Sequence, residues 1–225
     1  MFAASSAFSD DVPDVLGARQ AALAAVALGA TGTFFAISHL INGRHGSDFD
    51  HAVVRRMGRA RSPVANAIMR GITFLGSASG TTAVSLLALS WTRKKPRLAW
   101  QVVSAGVGGA SGELVFKRFF RRRRPRLLAH LEQTTSTSFP SGHSMASAAI
   151  YLTLAFIASR TKPLRRRRAA LLTGAGTVAG AVGVTRVYLG VHWPTDVLGG
   201  IALGTAWACA AEAAFDLAML PSSER

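Results

Sequence analysis

The sequence predicts an all-α fold, a bundle of six transmembrane helices with an amphipathic interfacial segment between the first and second. Three observations lead there. Charged residues are only 16% of the chain, whereas a soluble domain carries about 25%, so too few are present to cover a water-facing surface. The charges are clumped, leaving uncharged stretches of the length a helix needs to cross a bilayer core, about 20 residues. They are also lopsided, with 26 Lys+Arg against 11 Asp+Glu and a formal net charge of +15. This pattern describes an integral membrane protein with basic loops.

The stretches fall in order along the chain. Residues 21–43 and 71–92 contain no Asp, Glu, Lys or Arg, and 98–116 contains only Glu113. Residues 133–159 are uncharged but polar at their start; 169–188 is clean up to Arg186; 196–220 carries Glu212 and Asp216 near its far end. An even number of spans places both termini on one side. The first span does not read as a cleaved leader, because Asp10, Asp11 and Asp14 stand where a positive region is required. Glycines four apart, such as Gly108/Gly112 and Gly200/Gly204, allow close helix approach, although 22 glycines make some such pairs expected by chance. Residues 44–70 mix Val53, Val54, Met57, Val64, Ile68 and Met69 with Arg55, Arg56, Arg59 and Arg61, the pattern of a segment lying in the interface. The chain thus reads as a single membrane-embedded domain over 1–225, with a tail at 1–19 and a motif-bearing core at 117–196.

Other classes are excluded. Cys209 is the only cysteine, so no internal disulfide framework exists. Nucleic-acid binding fails because the basic runs are divided between opposite membrane faces. The positive-inside rule does not set the orientation, since the two sides carry nearly equal numbers of Lys and Arg. The compact clusters at 93–97 and 160–168 share one side and look cytoplasmic. Residues 117–126 then need another reason to be on the far side.

Three segments at that far boundary supply it. Lys117 to Pro125 ends the third span, Phe139-Pro-Ser-Gly-His143 opens the fourth, and Thr185 to Asp196 joins the fifth and sixth. Lys117, Arg124 and Arg186 form a site for a multiply charged anion, because guanidinium pairs with phosphate through charge-assisted hydrogen bonds. Ser141 and Gly142 precede an apolar span, so free backbone N–H groups and a positive dipole end face the same anion. Pro194 suits the first turn of the sixth helix, with His192 just before it and Asp196 within that turn. A hydrogen bond from one ring nitrogen to Asp196 would fix the tautomer and free the other as a nucleophile. His143, beside the anion donors, is placed to protonate a leaving oxygen. The same His192/Asp196 pair is also compatible with an ordinary cap or with two metal ligands, but His39, His45, His51 and His130 show no matching spacing.

The order Lys-x6-Arg-Pro, Pro-Ser-Gly-His, Thr-Arg-x5-His-x3-Asp resembles the signature of the type-2 phosphatidic acid phosphatase superfamily. That group holds bacterial membrane lipid phosphatases, of the phosphatidylglycerophosphatase and undecaprenyl-diphosphatase kind, and more distantly the vanadium-dependent haloperoxidases. Phe49-Asp50 and Thr73-Phe-Leu-Gly-Ser77 also resemble bacterial members. One departure exists, Thr185 in place of the usual Ser. The resemblance implies that His192 attacks phosphorus, Asp196 orients it and His143 protonates the leaving group. It implies that Lys117, Arg124, Ser141, Gly142 and Arg186 hold the phosphoryl oxygens, with no metal or cofactor. The implied partner is a lipid phosphate or diphosphate in the bilayer, alongside anionic lipids, at the outer face of a bacterial inner membrane.

The remaining residues take plainer roles. Arg118, Arg121, Arg122, Arg123 and Arg126 read as electrostatic background, Trp91, Trp100, Trp193 and Tyr188 as an interfacial aromatic belt. Glu113, one turn before Lys117, suits an ion pair with it. Two rival functions stay open: a non-catalytic scaffold holding anionic lipid, and vanadate-dependent peroxidase chemistry in the same pocket.

Overall fold

A computed structural model describes residues 11–41 and 45–219; the predicted tail at 1–10, the junction at 42–44 and the last residues lie outside it. All regular structure among the described residues is helical, without strands, and 121–141 is irregular: α1 (Asp11–Leu40), α2 (Asp48–Arg59), α3 (Pro63–Phe74), α4 (Ala78–Thr92), α5 (Pro96–Phe120), α6 (Gly142–Ser159), α7 (Lys162–Arg165), α8 (Arg168–Tyr188) and α9 (Pro194–Met219). Four of these, α1, α6, α8 and α9, are long and apolar enough to cross a membrane, and the bent pair α3–α4 makes up to five. The expected third span, α5, has the length but is not among them; Gln101, Ser104, Ser111, Glu113 and Lys117 dilute its apolar character.

The expected boundary at residue 70 moves. Ser62 caps α3 by accepting from the Ala65 amide, Pro63 occupies its first turn, and the helix runs on to Phe74. The break comes at 75–77, where Ser77 caps α4 and the chain turns by 46°. Gly76 is required there: a Cβ would overlap Val182 of α8 and crowd Ser147 of α6. Residues 63–70 are therefore the first arm of a bent helix pair, and α2 alone keeps the surface pattern. It buries Asp50 and Val54 and exposes Arg55, Arg56 and Arg59. A Ser47/Asp50 capping box fixes its start.

The centre of the bundle is α6, which packs on α5, α8 and α9, while α1 runs along α9. Small residues permit this: a Cβ at Gly200 or Gly204 would meet the α6 backbone. At the end of the bundle away from the predicted site, Glu212 and Asp216 are buried and ion-paired with Arg19 and Arg160, and Gln101 Nε2 donates to Glu212 at 2.8 Å. This network ties α1, α5, α6 and α9 together. Arg160, read from the sequence as one of the compact basic cluster at 160–168, is thus paired internally.

Candidate active site

The site forms where α5 ends, α6 and α9 begin and α8 ends. α5 stops at Phe120 because Arg121 adopts left-handed geometry, φ 41°. The following residues have no regular secondary structure, and their burial alternates. Arg121 and Arg123 are exposed, while Arg122 and Arg124 turn inward.

Arg122 corrects the sequence reading. It is 1% exposed and bridges two buried carboxylates, Asp50 Oδ2 at 2.8 Å and Asp196 Oδ1 at 2.6 Å. It also donates to Thr195 Oγ1 at 2.7 Å, and Asp50 accepts from the Thr195 amide at 3.0 Å. α2, the loop and α9 are locked together through these groups. Nothing in a run of four arginines singles out Arg122. Asp50 had a signal, the Phe49-Asp50 stretch noted above.

Asp196 is saturated with donors. Besides Arg122, its Oδ2 accepts from the Trp193 amide at 2.8 Å and from the Ser138 hydroxyl. His192 Nδ1 lies 3.4 Å from Oδ2 but makes no hydrogen bond, so the expected pairing is a close approach. The other ring nitrogen is decided by chemistry. His192 Nε2 is 3.2 Å from Arg124 Nη1, and a guanidinium can only donate. Nε2 is accordingly the acceptor, with its lone pair turned to the cations, and the proton belongs on Nδ1 beside Asp196. Burial pushes the His192 imidazole down to about 4, against the opposing pull of Asp196.

The phosphate-binding candidates converge here, with partners already in place. Arg124 is steered by carbonyls: Nη1 donates to Val191 O at 2.6 Å and Nε to Ser136 O at 2.8 Å. Ser136 Oγ accepts from Lys117 at 2.9 Å and from Arg124 Nη2 at 3.3 Å, joining the two cations. Lys117 forms the anticipated ion pair with Glu113. Arg186 donates to Glu132 Oε2 at 2.6 Å and to Thr73 Oγ1 at 2.8 Å, two partners not assigned from sequence. Ser141 is buried at the N-cap of α6, where its hydroxyl accepts from Ser144 instead of capping the helix. Gly142 begins the helix, and a Cβ there would overlap the Glu113 carboxylate. His143, one residue further, is half-buried among the positive charges of Arg186, Lys117 and Arg124.

Two aromatic assignments change. Trp193 and Tyr188 are buried and hydrogen-bonded, to Arg123 O at 2.9 Å and to Asn66 Oδ1 at 2.9 Å, and belong to the site's scaffold. Trp91 and Trp100 are exposed, as an aromatic belt requires. His130 bonds to Pro125 O at 2.6 Å and shapes the loop.

The family model described as the PAP2 superfamily matches residues 97–218, more than half of the chain and every residue of the cluster except Asp50 and Thr73. The chain belongs to the PAP2 superfamily. It is an integral membrane protein and a phosphate-ester-cleaving hydrolase of the lipid phosphatase type. Phosphatidylglycerophosphatase B of Bacillus subtilis is 35% identical over 69% of this chain and 77% of its own length. Decaprenylphosphoryl-5-phosphoribose phosphatase of Mycobacterium tuberculosis is 30% identical over 61% and 73%. Among solved structures, the transmembrane PAP2-type phosphatidylglycerolphosphate phosphatase from Bacillus subtilis superposes with a TM-score of 0.76 at 29% identity, covering 87% of this chain and 98% of that one. Aquifex aeolicus LpxE shares the fold, with a TM-score of 0.57 at 24% identity over 71% and 92%.

Proposed function

We propose that this chain hydrolyses a phosphate mono- or diphosphate ester of a lipid through a phosphohistidine on His192. The observation that carries the proposal is the orientation of that ring. Its Nε2 lone pair faces Arg124 at 3.2 Å while Nδ1 lies 3.4 Å from Asp196. Nε2 forms the N–P bond as the ester P–O bond breaks, and His143 gives its proton to the leaving oxygen. A water then attacks phosphorus, yielding its proton to His143, and the N–P electron pair returns to Nε2. Lys117, Arg124, Arg186, the Ser141 hydroxyl and the Gly142 backbone N–H hold the phosphoryl oxygens, whose charge must be balanced in flight; the Ser141 amide, expected to be free, donates instead to Asp196 O at 3.0 Å. The residues suffice for this chemistry with no metal or cofactor.

A lipid substrate is supported by a groove of about 370 Å³ between α4, α5 and α6, lined by apolar residues such as Leu86, Leu89, Val103 and Val107. Glu113 lies at the head of this groove and against Gly142, so the groove is continuous with the cluster. A tail fits the groove while its phosphate reaches His192. The relatives' names support the same class, phosphatidylglycerol phosphate or a prenyl-linked phosphate. In the membrane we place six crossings, α1, α3–α4, α5, α6, α8 and α9, within one domain. Both termini then lie in the cytoplasm, α2 in the interface and the site at the outer face of the inner membrane. Phosphate release from a panel of lipid phosphates and diphosphates, wild type against His192→Ala, tests the activity. Turnover by wild type and none by the variant is expected; near-normal turnover by the variant contradicts the nucleophile assignment.

A further inference from the structure

The site holds an acidic group for which phosphate binding has no use. Glu113 faces Lys117, and its carboxylate packs on Gly142 so closely that no Cβ fits between them. It is also the one charged residue among the described residues lining the apolar groove. Its location in the reaction is therefore definable. Attacking and leaving atoms lie roughly in line across the transferred phosphorus. In the proposed reaction His192 Nε2 attacks and His143 protonates the leaving oxygen, and Glu113, in contact with Gly142 beside His143, also lines the groove. Whatever group joins the leaving oxygen to the lipid tail must pass Glu113.

We infer that Glu113 is a specificity-determining residue, selecting phosphomonoesters whose leaving alcohol is neutral and carries hydroxyl groups over lipid diphosphates. This rests on the proposed phosphatase reading and narrows it. A polyol leaving group offers O–H donors to the carboxylate, and hydrogen bonds to a charged acceptor are the strong ones. A diphosphate presents instead its second phosphoryl group, one or two negative charges, to the same carboxylate. Lys117 pairs with Glu113 and holds the transferred phosphoryl group as well, so it offsets only part of this repulsion. Like charges about 5 Å apart in a partly buried site disfavour the diphosphate by on the order of ten- to a hundredfold in kcat/KM.

The experiment compares two substrates on one enzyme preparation, phosphatidylglycerol phosphate and a prenyl diphosphate in the same detergent micelles. Wild type is expected to favour the glycerol phosphomonoester by at least about tenfold. Glu113→Gln is expected to shrink that ratio by about tenfold, chiefly by raising diphosphate turnover. Glu113→Asp, which keeps the charge, is expected to retain most of the preference. A purely structural role would lower both rates together and leave the ratio unchanged. An unchanged ratio in Glu113→Gln overturns the inference, as does a wild type that prefers the diphosphate. The wild-type comparison decides by itself if Glu113→Gln fails to fold. Hydrolysis of neither substrate by wild type overturns the phosphatase reading first, and this inference with it.

Discussion

Removing the Arg122 guanidinium should unfold the site from a distance. Arg122 is buried and is the shared partner of Asp50 and Asp196, at 2.8 and 2.6 Å. Arg122→Ala leaves two buried carboxylates facing each other across a void. Deleting one partner of a buried pair costs about 3–5 kcal/mol, because the remaining charge stays desolvated. For a chain of this size each kcal/mol lowers the unfolding midpoint by about 2–4 °C, so a drop of roughly 6–20 °C is expected. Arg122→Lys should fall between, since one ammonium cannot fork to both carboxylates. The control is Arg123→Ala: that side chain is exposed and only its backbone carbonyl is used, by Trp193. Thermal unfolding in one detergent at one scan rate reads the difference, together with phosphate release well below both midpoints. If Arg122→Ala and Arg123→Ala unfold within about 1 °C of each other, the bridging role is wrong, since surface changes cost little.

Further outcomes follow from the same contacts. Gly142→Ala should cut activity, because the new methyl overlaps the Glu113 carboxylate, and Glu113→Ala in the same chain should restore part of it. The His192 imidazole is held down to about 4, chiefly by burial. A depressed histidine stays neutral as pH falls through its ordinary value, so kcat/KM corrected for substrate ionisation should hold from pH 7 to about 5 and fall only below. An acid limb near 6.5 contradicts that environment. Orthovanadate should inhibit, with chelators leaving activity unchanged; loss on chelation points to a metal enzyme. Reporters fused in the α4–α5 turn and at α7 should both report the cytoplasm.

The convergence of the three motifs was legible because alternate spans bring the ends of α5 and α8 and the starts of α6 and α9 to one face. His192, His143, Lys117, Arg124 and Arg186 follow from chain order and spacing alone. What escaped was the partner of each charge. Arg121 to Arg124 are four identical residues, and only the path of the chain after the left-handed turn at Arg121 separates inward from outward. Glu132 lies in irregular chain, where no periodicity announces a contact with Arg186 more than fifty positions away. Trp193 and Tyr188 sit at a helix junction, where burial against α2 and α3 depends on how those helices fold back. The bend at 75–77 was written in Gly76 and Ser77, but a clean apolar stretch from 71 conceals a break whose cause is close packing on α8.

Trapping the covalent intermediate tests the central assignment most directly. Enzyme mixed with a lipid carrying radiolabelled terminal phosphate, then denatured within one turnover, should retain label on the protein at His192. The linkage should survive alkali and be lost in acid, as a phosphoramidate is, and His192→Ala should retain none. Label absent from wild type during active turnover, or present undiminished in the variant, contradicts the account.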